Sequence, residues 1–343
     1  MCGGAVGEVC VNFNSQLKVR SNNMLHLIVL AGAGYYLPLP YVEPVFRPPA
    51  EADSLIVQTT VGCSWNKCSF CDMYTQPQQQ YKQRPLDEID ADLHLAASLA
   101  DACGEPVRRV FLADGDAMGQ STRRLRTILE SIKRTLPHVS RVSSYCLPRN
   151  IRTKSVQDLS SLRELGLRTM YVGCESGDNT VLSCVGKGET MASSVEALDK
   201  LHDAGLKSSV MILHGLGGRA LSEQHVAHSA ELIRRAPPNY LSTLVVSFPM
   251  GMERHAAGFA DVEGGFVPLD TDELLAEQRA LIEQLDGLTP RAGSRGVIFR
   301  SDHASNYLPL KGTLPRDHAK LLRRLGEAQR GSVPLRPEWA RGL

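Results

Sequence analysis

The segment Gly62-Cys63-Ser64-Trp65-Asn66-Lys67-Cys68-Ser69-Phe70-Cys71 places three cysteines within nine residues. It follows the apolar run at residues 55–57, which has the character of a buried strand. Three thiolates in one loop make a soft, anionic site of the kind that holds an iron–sulfur cluster. A four-iron cluster bound by three protein ligands keeps one iron open, and an open metal position indicates chemistry more often than structure. We therefore predict that Cys63, Cys68 and Cys71 hold a [4Fe–4S] cluster at the centre of the function.

Length and charge limit the class of protein. The chain has 343 residues, 43% of them hydrophobic, which is enough for a large core. Lys and Arg total 38 against 37 Asp and Glu, so no overall basic character indicates a nucleic-acid partner, and we expect none. The apolar stretch at residues 25–34 is too short to cross a bilayer, so we expect no membrane association.

The cysteines indicate a compartment. Nine cysteines that include a clustered triplet do not resemble the disulfide framework of a small secreted domain, and a reducing, cytoplasmic location fits better. We interpret residues 1–50 as a poorly structured leader.

After residue 50, strand-like runs alternate with amphipathic helical stretches. The predicted strands are residues 55–59, 109–113, 141–146, 169–173, 208–213 and 241–248. The predicted helices are residues 86–102, 121–135, 155–165, 191–204 and 221–235. This alternation predicts an α/β fold with a parallel sheet and outer helices. Periodicity alone leaves open whether the sheet is doubly wound or forms a whole or partial barrel.

Small and polar residues follow the predicted strands. In parallel α/β folds the active site gathers at the carboxyl ends of the strands. Any one of these turns is adequately explained as a tight connection that needs Gly or Asp. Several turns at the same edge as the cysteine loop instead indicate a shared site. They are Asp114-Gly115-Asp116, Pro148-Arg149-Asn150, Glu175-Ser176-Gly177-Asp178 and His214-Gly215-Leu216-Gly217-Gly218.

In these features the chain resembles the radical S-adenosylmethionine (SAM) superfamily, and Phe70 stands just before the last cysteine as in that family. Within the family it is similar to a group of bacterial proteins described only as iron–sulfur oxidoreductases. That group also carries the Arg-Pro-Pro of residues 47–49 and the Ser-Asp-His-Ala-Ser-Asn of residues 301–306. The resemblance covers residues 51–250 and implies a partial (β/α)6 barrel for this core.

The resemblance also implies a reaction and its cofactors. The three cysteines would hold the [4Fe–4S] cluster, and SAM would chelate the fourth iron. Reduction of the cluster would cleave SAM to a 5′-deoxyadenosyl radical, which abstracts hydrogen from a substrate. The implied partners are an external electron donor such as flavodoxin or ferredoxin and a small- or medium-sized substrate molecule, whose identity and net reaction the sequence does not give.

Residues that match the family's motifs take SAM-binding roles by the same resemblance. They are Phe70, Asp114, Gly115, Asp116, Arg149, Glu175, Ser176, Lys187 and Gly215. The turn at residues 114–116 replaces a Gly-Gly-Glu-like turn that holds the amino group of SAM. Glu175 and Ser176 look like the ribose-binding pair. Lys187 or Arg149 would pair with the SAM carboxylate, and Gly215 would let the backbone approach the adenine.

The spacing of the cysteines departs from the common family pattern. Four residues separate the first two cysteines, where the family usually has three. The spacing C-x4-C-x2-C also begins plant-type [2Fe–2S] ferredoxins, which end in a distant fourth cysteine. Cys103 stands at a suitable distance, so a ferredoxin-like electron carrier using Cys63, Cys68, Cys71 and Cys103 is the alternative. A zinc site is a further alternative.

Residues 251–343 are predicted to form a C-terminal extension that caps the barrel mouth. Polar side chains are dense at residues 300–311, and we expect this segment to face the substrate. His303 and Asn306 are therefore weak catalytic candidates, with turn capping as the equally simple explanation. Cys146, at the end of the third strand, is a weak candidate for a hydrogen donor, although buried cysteines usually serve only as small apolar residues.

Overall fold

A computed structural model describes residues 26–29 and 36–341, with side chains from residue 39 onward. Most of the predicted leader, residues 1–50, therefore lies outside the described residues. Its described part includes the antiparallel pair β1 (His26–Val29) and β2 (Tyr36–Leu39). The helices and strands below account for the described residues only.

The central sheet has eight strands within the described residues, in the order β12-β11-β10-β9-β8-β7-β6-β3. They are β3 (Leu55–Gln58), β6 (Arg109–Ala113), β7 (Arg141–Cys146), β8 (Leu167–Glu175), β9 (Lys207–His214), β10 (Tyr240–Val245), β11 (Val297–Ser301) and β12 (Leu310–Leu314). All neighbours from β3 to β11 are parallel, and β12 runs antiparallel to β11. The six predicted strands are confirmed. The short pair β4 (Thr60–Val61) and β5 (Lys82–Gln83) stands beside the cysteine loop.

Helices connect the parallel strands, and one more helix follows the last strand. They are α1 (Leu86–Cys103), α2 (Thr122–Thr135), α3 (Pro148–Arg152), α4 (Val156–Glu164), α5 (Asn179–Cys184), α6 (Met191–Asp203), α7 (Gly218–Arg235), α8 (Glu253–Ala257), α9 (Thr271–Glu283) and α10 (His318–Gln329). Side-chain caps fix several of their starts, as where Ser155 accepts from the Asp158 amide at 3.0 Å. Every helix in this part of the chain is too short or too polar to cross a membrane.

The two faces of the sheet differ in character because side chains alternate along a strand. On the outer face, residues such as Val142, Met170 and Val210 are fully buried in one hydrophobic core that includes the helices. The inner face carries polar and aromatic side chains such as Tyr145 and Tyr171 around an internal cavity. The predicted partial barrel with outer helices is confirmed.

The C-terminal region adds to the sheet. The apolar run at residues 297–300 becomes a seventh parallel strand, β11, and β12 closes the edge against it. Helices α9 and α10 pack against each other behind these strands. The proposed boundary at residue 250, between β10 and α8, stays a prediction.

Candidate cluster and cofactor site

The cysteine loop follows β4 at the carboxyl edge of the sheet and is tied to the loop after α5. The Ser69 amide donates to the Val185 carbonyl at 2.9 Å, and the indole Nε1 of Trp65 donates to the Gly186 carbonyl at 2.8 Å. These bonds join segments that are more than 100 residues apart in sequence. They fix the loop at the rim where the other strand-end turns meet.

The three thiols are half-buried and free. Burial raises the pKa of each, that of Cys71 to about 12, while the ammonium of Lys187 opposes the rise. Among the described residues, no three His, Cys, Asp or Glu side chains lie close enough to share one metal ion, as the zinc alternative requires. A [4Fe–4S] cluster needs no such convergence, because each thiolate binds a different iron atom. The three neighbouring thiols therefore fit a cluster.

Trp65 and Arg149 hold the cysteine loop against residues 186–189. The Arg149 guanidinium stacks over the Trp65 ring at 3.8 Å, and its Nε lies 2.7 Å from Oε1 of Glu189. Gly188 has a φ of +67°, and a Cβ there would lie 2.2 Å from the Trp65 ring. Only glycine suits this position. The structure therefore places Arg149, a candidate for the SAM carboxylate, in a network that positions the loop.

The turn Asp114-Gly115-Asp116 lies directly beside the cysteine loop. Oδ2 of Asp114 accepts from the Gly62 amide at 3.2 Å, and Oδ2 of Asp116 accepts from the Ser64 hydroxyl. Gly115 lies under Tyr74, whose ring would be 2.3 Å from a Cβ at that position. The sequence prediction that this turn lies at the rim is thus matched by the placement of all three residues.

Each aspartate of this turn keeps one buried oxygen without a well-aligned partner. Both side chains are fully buried, and neither Oδ1 of Asp114 nor Oδ1 of Asp116 forms a well-aligned hydrogen bond, although the Tyr74 hydroxyl lies near the Asp114 carboxyl and the Asn150 side chain near that of Asp116. Burial raises the pKa of both carboxyls, that of Asp114 to about 6. Unpartnered buried acceptors are costly and call for an explanation such as a ligand. Two carboxylate oxygens beside the cysteine loop fit an ammonium group.

Glu175 and Lys187 form a buried ion pair at the end of β8. Lys187 Nζ lies 2.9 Å from Oε1 of Glu175, and the two side chains are 3% and 11% exposed. Burial alone would lower the pKa of Lys187, but the neighbouring Glu175 outweighs it and the pKa is raised. Lys187 also lies 5.9 Å from the centre of the Phe70 ring, which links the pair to the cysteine loop.

Ser176 points away from this pair. Its hydroxyl accepts from the Asp178 amide at 2.9 Å and lies 2.8 Å from Nδ1 of His225. These contacts bury the hydroxyl against α7. The structure thus brings Glu175 to the predicted site and uses Ser176 to fix the turn behind it.

Gly215 lines a separate cavity of about 330 Å³ beyond the ends of β9 and β10. Residues 245–249, Leu274 and Tyr307 form much of its wall. Gly215 has a φ of +79°, and its amide donates to Oε1 of Glu277 at 2.7 Å. An adenine could therefore approach the backbone here without meeting a side chain on Gly215.

A buried polar network beneath Gly215 was not predicted from the sequence. Nδ1 of His214 lies 3.2 Å from Oε1 of Glu277, and Nε2 of His225 lies 3.9 Å from the same oxygen. Burial would raise the pKa of Glu277, but the two histidines outweigh it and lower the pKa to about 2. No local signal identifies this network, because Glu277 lies on α9, more than 50 residues after both histidines. The only hint in the sequence is His214, which stands directly before Gly215.

The catalytic candidates from the sequence lie in different places. His303 lines the internal cavity and lies 2.9 Å from the Ser305 hydroxyl, and burial lowers its pKa. The amide nitrogen of Asn306 donates to the Thr243 carbonyl at 3.0 Å, and its Oδ1 is buried without a partner. Cys146 is 2% exposed and packs in the hydrophobic core, which gives no support to a role as hydrogen donor.

Cys103 lies far from the cysteine loop. It is the last residue of the 18-residue helix α1, which begins close to the carboxyl end of β3, where the Arg84 amide donates to the Thr59 carbonyl. Such a helix is about 27 Å long, so Cys103 lies towards the opposite edge of the sheet. The [2Fe–2S] ferredoxin-like alternative, which needs Cys103 as fourth ligand, is not supported.

Comparisons with known proteins identify the family of the chain. The family described as the radical SAM superfamily matches residues 57–233, more than half of the chain. The heme chaperone HemW of Bacillus subtilis (strain 168) is 21% identical over 169 residues, which cover 47% of this chain and 42% of HemW.

Solved structures with a similar fold include coproporphyrinogen III oxidase (HemN) from Escherichia coli, described as a radical SAM enzyme. It has a TM-score of 0.49 and 16% identity, over 67% of this chain and 52% of HemN. The radical SAM methyltransferase TsrM from Kitasatospora setae, with cobalamin and a [4Fe–4S] cluster bound, has a TM-score of 0.47 and 18% identity, over 62% of this chain and 43% of TsrM. The chain thus spans less than half the length of HemW and of TsrM.

Proposed function

The chain belongs to the radical SAM superfamily, whose members are enzymes that use a [4Fe–4S] cluster and SAM, and we propose on that premise that it cleaves SAM reductively to act on a small- or medium-sized molecule. Cys63, Cys68 and Cys71 would hold the cluster, with one iron left for SAM. When bound, the cluster and SAM supply a 5′-deoxyadenosyl radical that abstracts hydrogen from the substrate.

One observation carries this proposal for the residues of this chain. Oδ1 of Asp114 and Oδ1 of Asp116 are buried, form no well-aligned hydrogen bond and lie beside the cysteine loop. An ammonium group bound between them would satisfy both acceptors with charge-assisted hydrogen bonds. The amino group of SAM has this charge and would be held next to the open iron. The Asp-Gly-Asp turn would thereby perform the task of the family's Gly-Gly-Glu-like turn.

Glu175 would then contribute in two ways. Its Oε1 is occupied by Lys187, whereas its Oε2 forms no hydrogen bond within the described residues. This second oxygen is free to accept from a sugar hydroxyl, as expected of a ribose-binding carboxylate. Lys187 holds the carboxylate in place and keeps its own positive charge next to Cys68. That charge favours both the thiolate and a nearby SAM carboxylate.

Reduction would require a partner protein. The cysteine loop exposes Ser64, Asn66 and Lys67 at the surface, so an electron donor such as flavodoxin or ferredoxin could approach the cluster closely. The inner face of the barrel offers the substrate a partly open cavity lined by side chains of the strands.

The proposal is tested by anaerobic reconstitution with iron and sulfide, followed by reduction with dithionite in the presence of SAM. We expect release of 5′-deoxyadenosine, loss of this release in Cys68→Ala, and retention in the control Cys103→Ala. Absence of release from a chain that holds four irons would contradict the proposed reaction.

A further inference from the structure

The internal cavity has a volume of about 450 Å³ and is rich in positive charge. Two segments that the sequence analysis identified separately, residues 47–49 and residues 301–306, both contribute to its wall. The basic residues that line it are Arg47, Arg141, Arg300 and Lys311, and the one acidic residue among its described lining is Asp302. The cavity therefore carries a net positive charge.

Only some of these cations have a counter-charge. Arg141 pairs with Glu51 at 3.0 Å, and Lys311 pairs with Asp302 at 2.8 Å. Arg47 donates to the Ser54 carbonyl at 2.8 Å, and Arg300 donates to the Phe299 carbonyl at 3.1 Å.

Within the described part of the chain, neither Arg47 nor Arg300 forms an ion pair. Each uses only Nη1 in a hydrogen bond, to a single backbone carbonyl. A guanidinium has five N–H donors, so most of the donors on each remain free for a ligand in the cavity.

The sheet register relates Arg300 to the SAM site. Arg300 pairs with Ser242, Ser242 with Met211, and Met211 with Gly173, so these residues form one row across four strands. Adjacent strands lie about 4.8 Å apart, which puts the backbone of Arg300 roughly 14 Å from that of Gly173. A Cβ on Gly173 would lie 2.2 Å from Oε1 of Glu175. This row of residues therefore runs from Arg300 to Gly173, which lies beside Glu175 in the proposed SAM site.

We propose that the substrate is an organic anion, a carboxylate or phosphate ester, whose charged group binds Arg300 and Arg47. This inference rests on the proposed function and adds the chemical class of its substrate. Guanidinium groups bind both anions bidentately, which fixes orientation as well as charge. With the anionic group at Arg300, the rest of the molecule extends past Met211 and Tyr145 towards Glu175 and the cluster. The reacting carbon is then the end distant from the charge.

Binding of small anion probes to the reconstituted full-length protein tests this assignment without turnover. The probes are inorganic phosphate, succinate and the neutral succinamide, measured by isothermal titration calorimetry. We expect phosphate or succinate to bind and succinamide not to bind. The anion that binds more tightly shows whether the substrate is a phosphate ester or a carboxylate. Arg300→Gln should weaken anion binding about tenfold or more, since it removes a charge-assisted contact. Arg300→Lys should retain part of the affinity.

Two controls separate this site from other basic surfaces and from loss of folding. Arg324→Gln removes an exposed guanidinium on α10 that pairs with Glu327, and it should leave anion affinity unchanged. Arg47→Gln, with Arg300 intact, should also weaken the binding of the same anion. Equal anion affinity in wild type and Arg300→Gln, or equal binding of succinamide, would overturn the assignment. Iron content and SAM cleavage are measured on the same samples. If the protein binds no cluster or does not cleave SAM, the proposed function is contradicted, whether or not the anions bind.

Discussion

Lys187 and Glu175 form an ion pair of 2.9 Å that is almost completely withdrawn from solvent. The pair exists because β8 ends irregularly. The register with β9 shifts between Gly173 and Glu175, and Glu175 adopts a φ of +66°, which few non-glycine residues do. Gly173 leaves room for the carboxylate, since a Cβ there would lie 2.2 Å from it. Lys187 thus holds the Glu175 carboxylate in place, in the space that Gly173 leaves. The proposed function assigns this carboxylate to the binding of SAM.

The first prediction concerns this pair. Glu175→Gln should leave the Lys187 charge buried without a counter-charge, at a cost of about 3 kcal/mol in the free energy of unfolding. SAM affinity should fall while the iron content per chain stays the same. The matched control is Glu283→Gln, which breaks the exposed pair with Arg279 and should cost no more than about 0.5 kcal/mol. Urea denaturation and SAM titration check both variants, and unchanged SAM affinity would remove Glu175 from the binding site.

The second prediction tests how the cysteine loop is held. Gly188 and Gly104 have nearly equal φ angles, +67° and +69°, but a Cβ meets the Trp65 ring only at Gly188 and meets nothing within 4 Å at Gly104. Alanine should therefore cost about 1 kcal/mol of backbone strain at both positions. Only Gly188→Ala should also displace the loop and reduce the iron bound after reconstitution. Equal iron content in the two variants would contradict the role given to the Trp65 contact.

The third prediction concerns the pH dependence of stability. Burial raises the folded-state pKa of Asp114 to about 6, whereas an unfolded Asp titrates near about 3.9. The neutral carboxyl therefore favours folding below pH about 4, and this contribution is lost as the pH rises through about 6. Without SAM, Asp114→Asn should match wild type at pH 4 and exceed its stability at pH 8 by up to about 3 kcal/mol.

SAM binding should depend on pH in the opposite sense. The ammonium of SAM needs the charged carboxylate, so wild-type affinity should fall as the pH drops below about 6, and Asp114→Asn should bind weakly at every pH. Urea denaturation at several pH values, with SAM titration alongside, measures both effects. A stability difference between wild type and Asp114→Asn that does not change with pH would show that this carboxyl titrates normally.

The sequence predicted the strands, the helices and the edge of the sheet at which the site lies, because these follow from local sequence patterns. Strand ends and helix starts follow periodicity and caps, and the Asp114, Glu175 and Gly215 turns all lie at the predicted rim because parallel strands share one carboxyl edge. The sequence did not predict which partner each individual side chain contacts. Ser176 turns to His225, Arg149 stacks on Trp65, and Glu277 joins His214 only through tertiary packing between segments distant in sequence.

The cavity charge was equally hidden in the sequence. Arg47 and Arg300 stand about 250 positions apart, in two segments that the sequence identified separately, and nothing in the sequence shows that these segments meet. Their shared cavity follows from the curvature of the whole sheet and from the segment at residues 47–50 that lies across it. Such a relationship needs the assembled fold, because no local pattern encodes which distant segments meet.

The central claim is that the cysteine loop holds a four-iron cluster whose open iron binds SAM beside Asp114 and Asp116. Mössbauer spectroscopy of the anaerobically reconstituted protein, with and without SAM, tests it most directly. The account predicts four irons per chain, one of which changes its isomer shift when SAM is added, in wild type and in Cys103→Ala alike. Two irons per chain that are lost in Cys103→Ala, or four irons that are all unaffected by SAM, would contradict it.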